Sequence, residues 1–188
     1  MEINNNHIRK YPIGIQSFED LRREGYLYVD KTALIYRLIT TGKPYFLSRP
    51  RRFGKSLLLS TLKAYFEGKK ELFEGLAIEK LEKKWAVHPV LHLSLNAEKY
   101  DSAERLHKQM DSQLLNWESQ YGCDAKDWTY SIRFMNVIKA AYEQTGQQVV
   151  VLIDEYDKPM LESLHDKELQ DQFRNILVAF YSLSLIHI

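Results

Sequence analysis

A short apolar stretch that runs into a basic loop and then into Gly-Lys-Ser at the start of a helix constrains this chain more than anything else in it. The residues are Phe46-Leu47-Ser48-Arg49-Pro50-Arg51-Arg52-Phe53-Gly54-Lys55-Ser56-Leu57. Strand, loop and helix in that order expose backbone N–H groups at a helix start. They also bring a lysine to the β- and γ-phosphates and set a hydroxyl beside them for Mg²⁺. The chemistry implied is nucleotide binding, with Arg52, Phe53, Gly54, Lys55, Ser56 and Leu57 facing the phosphates and Ser56 on the metal. The general pattern has glycine where Arg49 stands, and Pro50 removes one N–H, so fewer donors face the phosphates and affinity is expected to be weaker than in a standard loop. Arg49, Arg51 and Arg52 concentrate positive charge there without any one of them standing out as the contact.

Far downstream, Val149-Val150-Val151-Leu152-Ile153 ends in Asp154-Glu155. An apolar run without alternation suits a parallel strand covered on both faces. Asp154 at its end is a Mg²⁺ carboxylate, bound directly or through water, and Glu155 is placed to activate a water molecule. A general base of that kind is worth on the order of 10²–10⁴ in rate. The two motifs together are far more specific than either alone.

Three segments in order carry a family resemblance: Tyr28-Val29-Asp30-Lys31-Thr32, then Ser48 to Ser56, then Leu152-Ile153-Asp154-Glu155-Tyr156-Asp157-Lys158-Pro159. From about Ile13 to Tyr181 the chain resembles the predicted AAA-ATPase-like proteins of prokaryotes, and Arg49 fits that family's own version of the loop. The resemblance implies an α/β, three-layer P-loop NTPase with a mainly parallel sheet, incomplete at the C-terminus, using ATP and Mg²⁺. It also implies a downstream nuclease-like domain of the PD-(D/E)XK type, and through it DNA or RNA as a partner. A homo-oligomer is a further expectation, since a neighbouring subunit can supply an arginine finger. In related ATPases the region of Tyr26, Tyr28 and Asp30-Lys31-Thr32 can approach the adenine, although packing is its plainer role.

At 188 residues with 45% hydrophobic content the chain can build a core for one domain, or one and a small appendage. Basic residues number 26 and acidic ones 25, a net charge of +1, so no broad polyanion-binding surface is implied. One cysteine, Cys123, allows no internal disulfide and no cysteine-based zinc site, in keeping with a reducing cytoplasm. The N-terminus lacks a signal-peptide layout and no apolar run reaches the roughly 18 residues of a membrane span, so a cytoplasmic protein with no membrane partner is expected.

Along the chain, Ser17 caps a short helix from Phe18 toward Gly25, and Asp30 caps a second carrying Leu34, Ile35 and Leu38. Pro44–Leu47 reads as the first core strand, followed by a helix carrying Leu58, Leu59, Leu62, Tyr65 and Phe66. Glu79–Lys84 is a charged, solvated short helix, and Pro89–Leu95 a second strand. Helices follow from Asp101 or Ser102 to before Gly122 and over Ile132–Tyr142, closed by Thr145-Gly146, and a last one over Asp166–Leu177. His92 reads as a core histidine, and Trp85, Trp117 and Trp128 as packing or surface anchors. The organisation expected is a helical and extended segment over 1–42, a partial P-loop domain over 43–182 and a tail over 183–188. That tail, Leu183-Ser184-Leu185-Ile186-His187-Ile188, reads as translated sequencing-adaptor sequence, which makes the chain a fragment. In the P-loop branch concerned, the next strand inserts between the acidic strand and the loop strand, so residues 1–188 alone are expected to aggregate or stay molten.

The reading that results is an ATP-binding, ATP-hydrolysing domain using Mg²⁺, with Glu155 as catalytic residue and Ser56 and Asp154 on the metal. Its rival is a nucleotide-gated interaction module that binds ATP without hydrolysing it. Nuclease activity of this segment itself has no spaced Asp…Glu-x-Lys cluster to carry it. Asp157 and Lys158 take no assigned chemistry at this stage.

Overall fold

Hydrophobic periodicity becomes helices almost wherever the sequence carries it. The computed structural model describes residues 10–42, 45–48, 50, 53–96, 98–123 and 129–181. Arg49, Arg51, Arg52, Trp128 and the 183–188 tail lie outside them. By internal contacts the chain divides into two compact units, Met1–Ala86 and Val87–Ile188.

The first unit holds α1 (Phe18–Arg23), α2 (Thr32–Thr40), α3 (Lys55–Phe66), a 3₁₀ turn (Lys70–Phe73) and α4 (Ala77–Leu81). Ser17 caps α1 as its sequence predicts, its hydroxyl accepting from the Asp20 N–H at 3.2 Å. The core is aromatic: Phe18, Tyr65 and Phe73 are buried, Phe18 lies 4.9 Å from Phe73 between ring centroids, and Trp85 closes over Phe73 at 5.2 Å. Hydrogen bonds between segments distant in sequence fix these short helices. Arg22 donates to the carbonyls of Leu72 and Glu74, at 2.7 and 2.6 Å. Asp30 accepts from the Thr32 N–H and hydroxyl with one oxygen and from the Ala77 N–H, at 2.7 Å, with the other. The Thr32 hydroxyl in turn accepts from the Ile78 N–H at 3.0 Å, a buried pairing. The Asp30-Lys31-Thr32 signature therefore ties the start of α2 to the start of α4.

One expectation fails here. Pro44–Leu47 was to be the first core strand, yet the described part, Tyr45 to Ser48, forms no strand, and Tyr45, Phe46 and Leu47 are exposed. A strand persists by pairing its N–H and C=O groups with a neighbour, and among the described residues this segment joins no sheet. α4 also begins two residues before the charged run assigned to it and buries Ile78 completely.

The second unit holds β1 (Val90–Ser94), α5 (Ala103–Tyr121), α6 (Tyr130–Thr145), β2 (Val150–Asp154), α7 (Lys158–Glu162) and α8 (Lys167–Tyr181). β1 and β2 are parallel, paired from Val90 with Val150 to Ser94 with Asp154. The architecture is α/β, but the sheet of the described residues has two strands, not the larger sheet of a three-layer fold. Leu91, Leu93 and Leu95 alternate into the core, where α5 contributes Leu106, Met110 and Leu114, α6 Phe134 and Val137, and α8 Phe173, Ile176, Leu177 and Phe180. α5 and α6 stop at Gly122 and Gly146, whose N–H groups bond back to the Glu118 and Tyr142 carbonyls. Between these helices the Arg133 guanidinium forks onto both Glu118 oxygens at 2.7 Å, with Asp111 beside it, and the Arg133 and Glu118 side chains are only 6% and 7% exposed. Among the described residues no helix is long and apolar enough to cross a membrane.

Candidate functional site

Each unit carries candidate residues at the end of a regular element. In the first unit they lie at the start of α3. Gly54 takes the N-cap position at φ 76°, ψ 22°, the left-handed region that side-chain-bearing residues avoid. A Cβ there would meet nothing within 4 Å, so backbone conformation and not crowding calls for glycine. No side chain caps the helix and its first turn carries no acid, which leaves the first-turn N–H groups and the positive end of the helix dipole open to an anion. Lys55 and Ser56 are half-buried, and neither side chain has a hydrogen bond or ion pair among the described residues. The Leu57 side chain packs on the aromatic core, and its backbone belongs to the first turn. Phe53 is exposed.

In the second unit they lie at the end of β2. Asp154 is the last residue of the strand and 8% exposed, on the sheet face opposite Leu91 and Leu93. Its carbonyl accepts the Leu95 N–H at 3.1 Å, while its carboxylate makes no hydrogen bond or ion pair among the described residues. The Asp154 carboxylate here and the Ser56 hydroxyl of the first unit are each an oxygen donor of the kind Mg²⁺ takes. No cluster of three or more His, Cys, Asp or Glu suited to a metal occurs among the described residues. Glu155 follows at φ 53°, left-handed without being glycine. Its carbonyl accepts the Lys158 N–H at 3.0 Å, closing a turn into α7, where Pro159 sits in the first turn.

Sequence reasoning missed what surrounds that turn. The Lys158 ammonium donates to the carbonyls of Asn96 and Glu98, at 2.9 and 2.7 Å, in the loop that leaves β1. Glu162, one helical turn on, accepts the Tyr100 N–H at 2.7 Å and stands 3.8 Å from Lys158. Tyr100 is buried under the Lys158 ammonium, and burial, with Glu162 and Glu98 nearby, pushes its hydroxyl up to about 12. The available signal was the i,i+4 spacing of Lys158 and Glu162 directly after the acids. An open cleft of about 480 Å³ adjoins this contact, lined by Lys99, Tyr100, Asp101, Glu162, His165 and Asp166 among others. His92 is half-buried on β1, and burial followed by the Glu118 charge raises the Cys123 thiol.

The family described as Predicted AAA-ATPase matches residues 12–186. An uncharacterized protein in the vnfD 5′ region of Azotobacter chroococcum mcd 1 is 40% identical over 176 residues, 93% of this chain and 34% of that protein. The chain thus spans about a third of that relative's length. No solved structure matches. The chain belongs to the predicted AAA-ATPase family.

Proposed function

We propose that this member of the predicted AAA-ATPase family binds ATP at the start of α3 and hydrolyses it with Mg²⁺. The observation that carries the reading is the open first turn of α3, where left-handed Gly54 is followed by Lys55 and Ser56, both without other partners among the described residues. The backbone N–H groups of that turn would hold the phosphates and the Lys55 ammonium would offset their charge. The Ser56 hydroxyl and, from the second unit, the Asp154 carboxylate would each offer an oxygen to Mg²⁺, which when bound would supply neutralisation of phosphoryl charge. Glu155 accepts the proton of the attacking water. Catalysis of this type is mostly positioning and electrostatics, so the protein supplies fixed donors and one base. Turnover serves a domain elsewhere in the full-length protein, nuclease-like by the family resemblance, for which the greater length of the Azotobacter relative leaves room.

The test is calorimetric titration and turnover of the full-length protein with ATP and Mg²⁺. Lys55→Ala loses a charge-assisted phosphate contact and should weaken binding about 10–100-fold with the fold retained by circular dichroism. Glu155→Gln keeps the shape of the side chain without its basicity, so it should bind ATP normally and lose turnover by about 10²–10⁴. Unchanged affinity in Lys55→Ala would remove the phosphate-loop reading. Wild-type turnover in Glu155→Gln would remove Glu155 as the base, and tight binding with no turnover in the wild type would leave the nucleotide-gated module.

A further inference from the structure

Glu155 holds a conformation its own residue type resists, and it sits where the function proposed above needs a base. Such conformations persist when the surroundings over-determine them. The local bond, Lys158 N–H to the Glu155 carbonyl, closes the turn but is compatible with many turn geometries. What fixes the turn from outside is the Lys158 side chain. Two of its three ammonium donors go to the Asn96 and Glu98 carbonyls and the third faces Glu162, with the side chain only 19% exposed. Because β1 and β2 are parallel and Ser94 pairs with Asp154, the loop that Lys158 grips leaves the sheet at the same end as the two acids. These bonds join two segments about 60 residues apart in sequence, so the Lys158 side chain ties the turn to the loop rather than merely filling space.

We propose that Lys158 is a positioning residue for Glu155, clamping the loop after β1 to the turn after β2 so that the base is held in its left-handed conformation. The inference rests on the reading of Glu155 given above, and its test separates the two. Hydrogen exchange of full-length Lys158→Met should speed up at residues 98–100 and 155–158 while the core helices α5 and α6 keep their protection. In ATP turnover the same variant should lose about tenfold or more in kcat with KM within about twofold, and Lys158→Arg should recover most of the loss. In a Glu155→Gln background Lys158→Met should have no further effect on single-turnover rate, because a residue acting through another is silent once that other is gone. If Lys158→Met does not melt cooperatively, Lys158→Gln, which keeps one donor, takes its place under the same criteria. A wild-type protein that turns over no ATP overturns the proposed function, and the clamp is then judged by exchange alone. Unchanged exchange overturns the clamp. Faster exchange with kcat unaltered, or an equal loss in the Glu155→Gln background, overturns its link to Glu155.

Discussion

The start of α3 and the end of β2 each carry a left-handed residue among the candidate residues of their own unit, and they do so by opposite means. At the start of α3 the residue is Gly54, in open space, where the conformation costs little and nothing need enforce it. At the end of β2 it is Glu155, for which the conformation is costly, and the backbone is held by a turn bond and by the grip of Lys158 on a loop about 60 residues away in sequence. The difference teaches where strain is accepted. When only backbone N–H groups are wanted, glycine provides the turn. When a carboxylate is wanted at the turn itself, glycine is excluded and the neighbourhood has to hold the shape.

The strongest test of this contrast is Glu155→Gly. It should remove the base, with turnover falling by about 10²–10⁴, and at the same time relieve the backbone, raising stability by about 0.5–1 kcal/mol in thermal melts. A destabilised Glu155→Gly would mean that the left-handed turn carries no strain, and the contrast would break. Gly54→Ala should move the other way, costing about 1–2 kcal/mol because the added Cβ has room but the backbone does not suit it. Melting of the wild type and the alanine variant side by side checks this, and equal midpoints would show that the start of α3 tolerates other geometries.

The smallest expected effect concerns acid. In the unit that carries α3, the Lys69 ammonium holds Glu19 below the usual carboxylate range. Burial by itself would raise Asp30 and Glu82, but hydrogen bonds to Asp30 from Thr32 and Ala77, and to Glu82 from Tyr65 and backbone N–H groups, outweigh it and lower both. Carboxyls lowered in the folded state add stability that is complete above their unfolded values, near 4.5 for the two glutamates and 3.8 for Asp30, and is lost as pH falls through the folded values. A variant keeping Trp85 as its sole tryptophan reports on this unit, because Trp85 packs on Tyr65 and Phe73. Its fluorescence melt should shift down between pH 5 and pH 3 and change little between pH 8 and pH 6. A midpoint flat to pH 3 would sink the assignment.

How much of this was legible depends on distance along the chain. Ser17 over α1, the glycine stops of α5 and α6, both strands of the sheet and the acids closing β2 follow from neighbours a few residues apart, which periodicity and capping encode directly. Tyr45–Ser48 misled because four residues can look like a strand, while being one depends on a partner strand that local sequence does not specify. The long-range contacts of Lys158 and Asp30 escaped for the same reason: their hydrogen bonds reach Asn96, Glu98 and Ala77, 62, 60 and 47 residues away. Gly54, Lys55, Ser56, Asp154 and Glu155 stand out in the sequence as candidates, whereas the left-handed backbone of Glu155 does not, since nothing in a glutamate announces it.

The Arg133 fork between α5 and α6 has an evolutionary consequence. Losing either member strands the other charge in the interior, at about 3–5 kcal/mol, while replacing both together by apolar side chains of similar volume can be neutral or better. Positions 118 and 133 are therefore separated from their alternatives by a valley that single substitutions do not cross easily. Among relatives the two should change as a pair or stay fixed as a pair, and position 111, whose aspartate side chain is 48% exposed, should drift more freely than either.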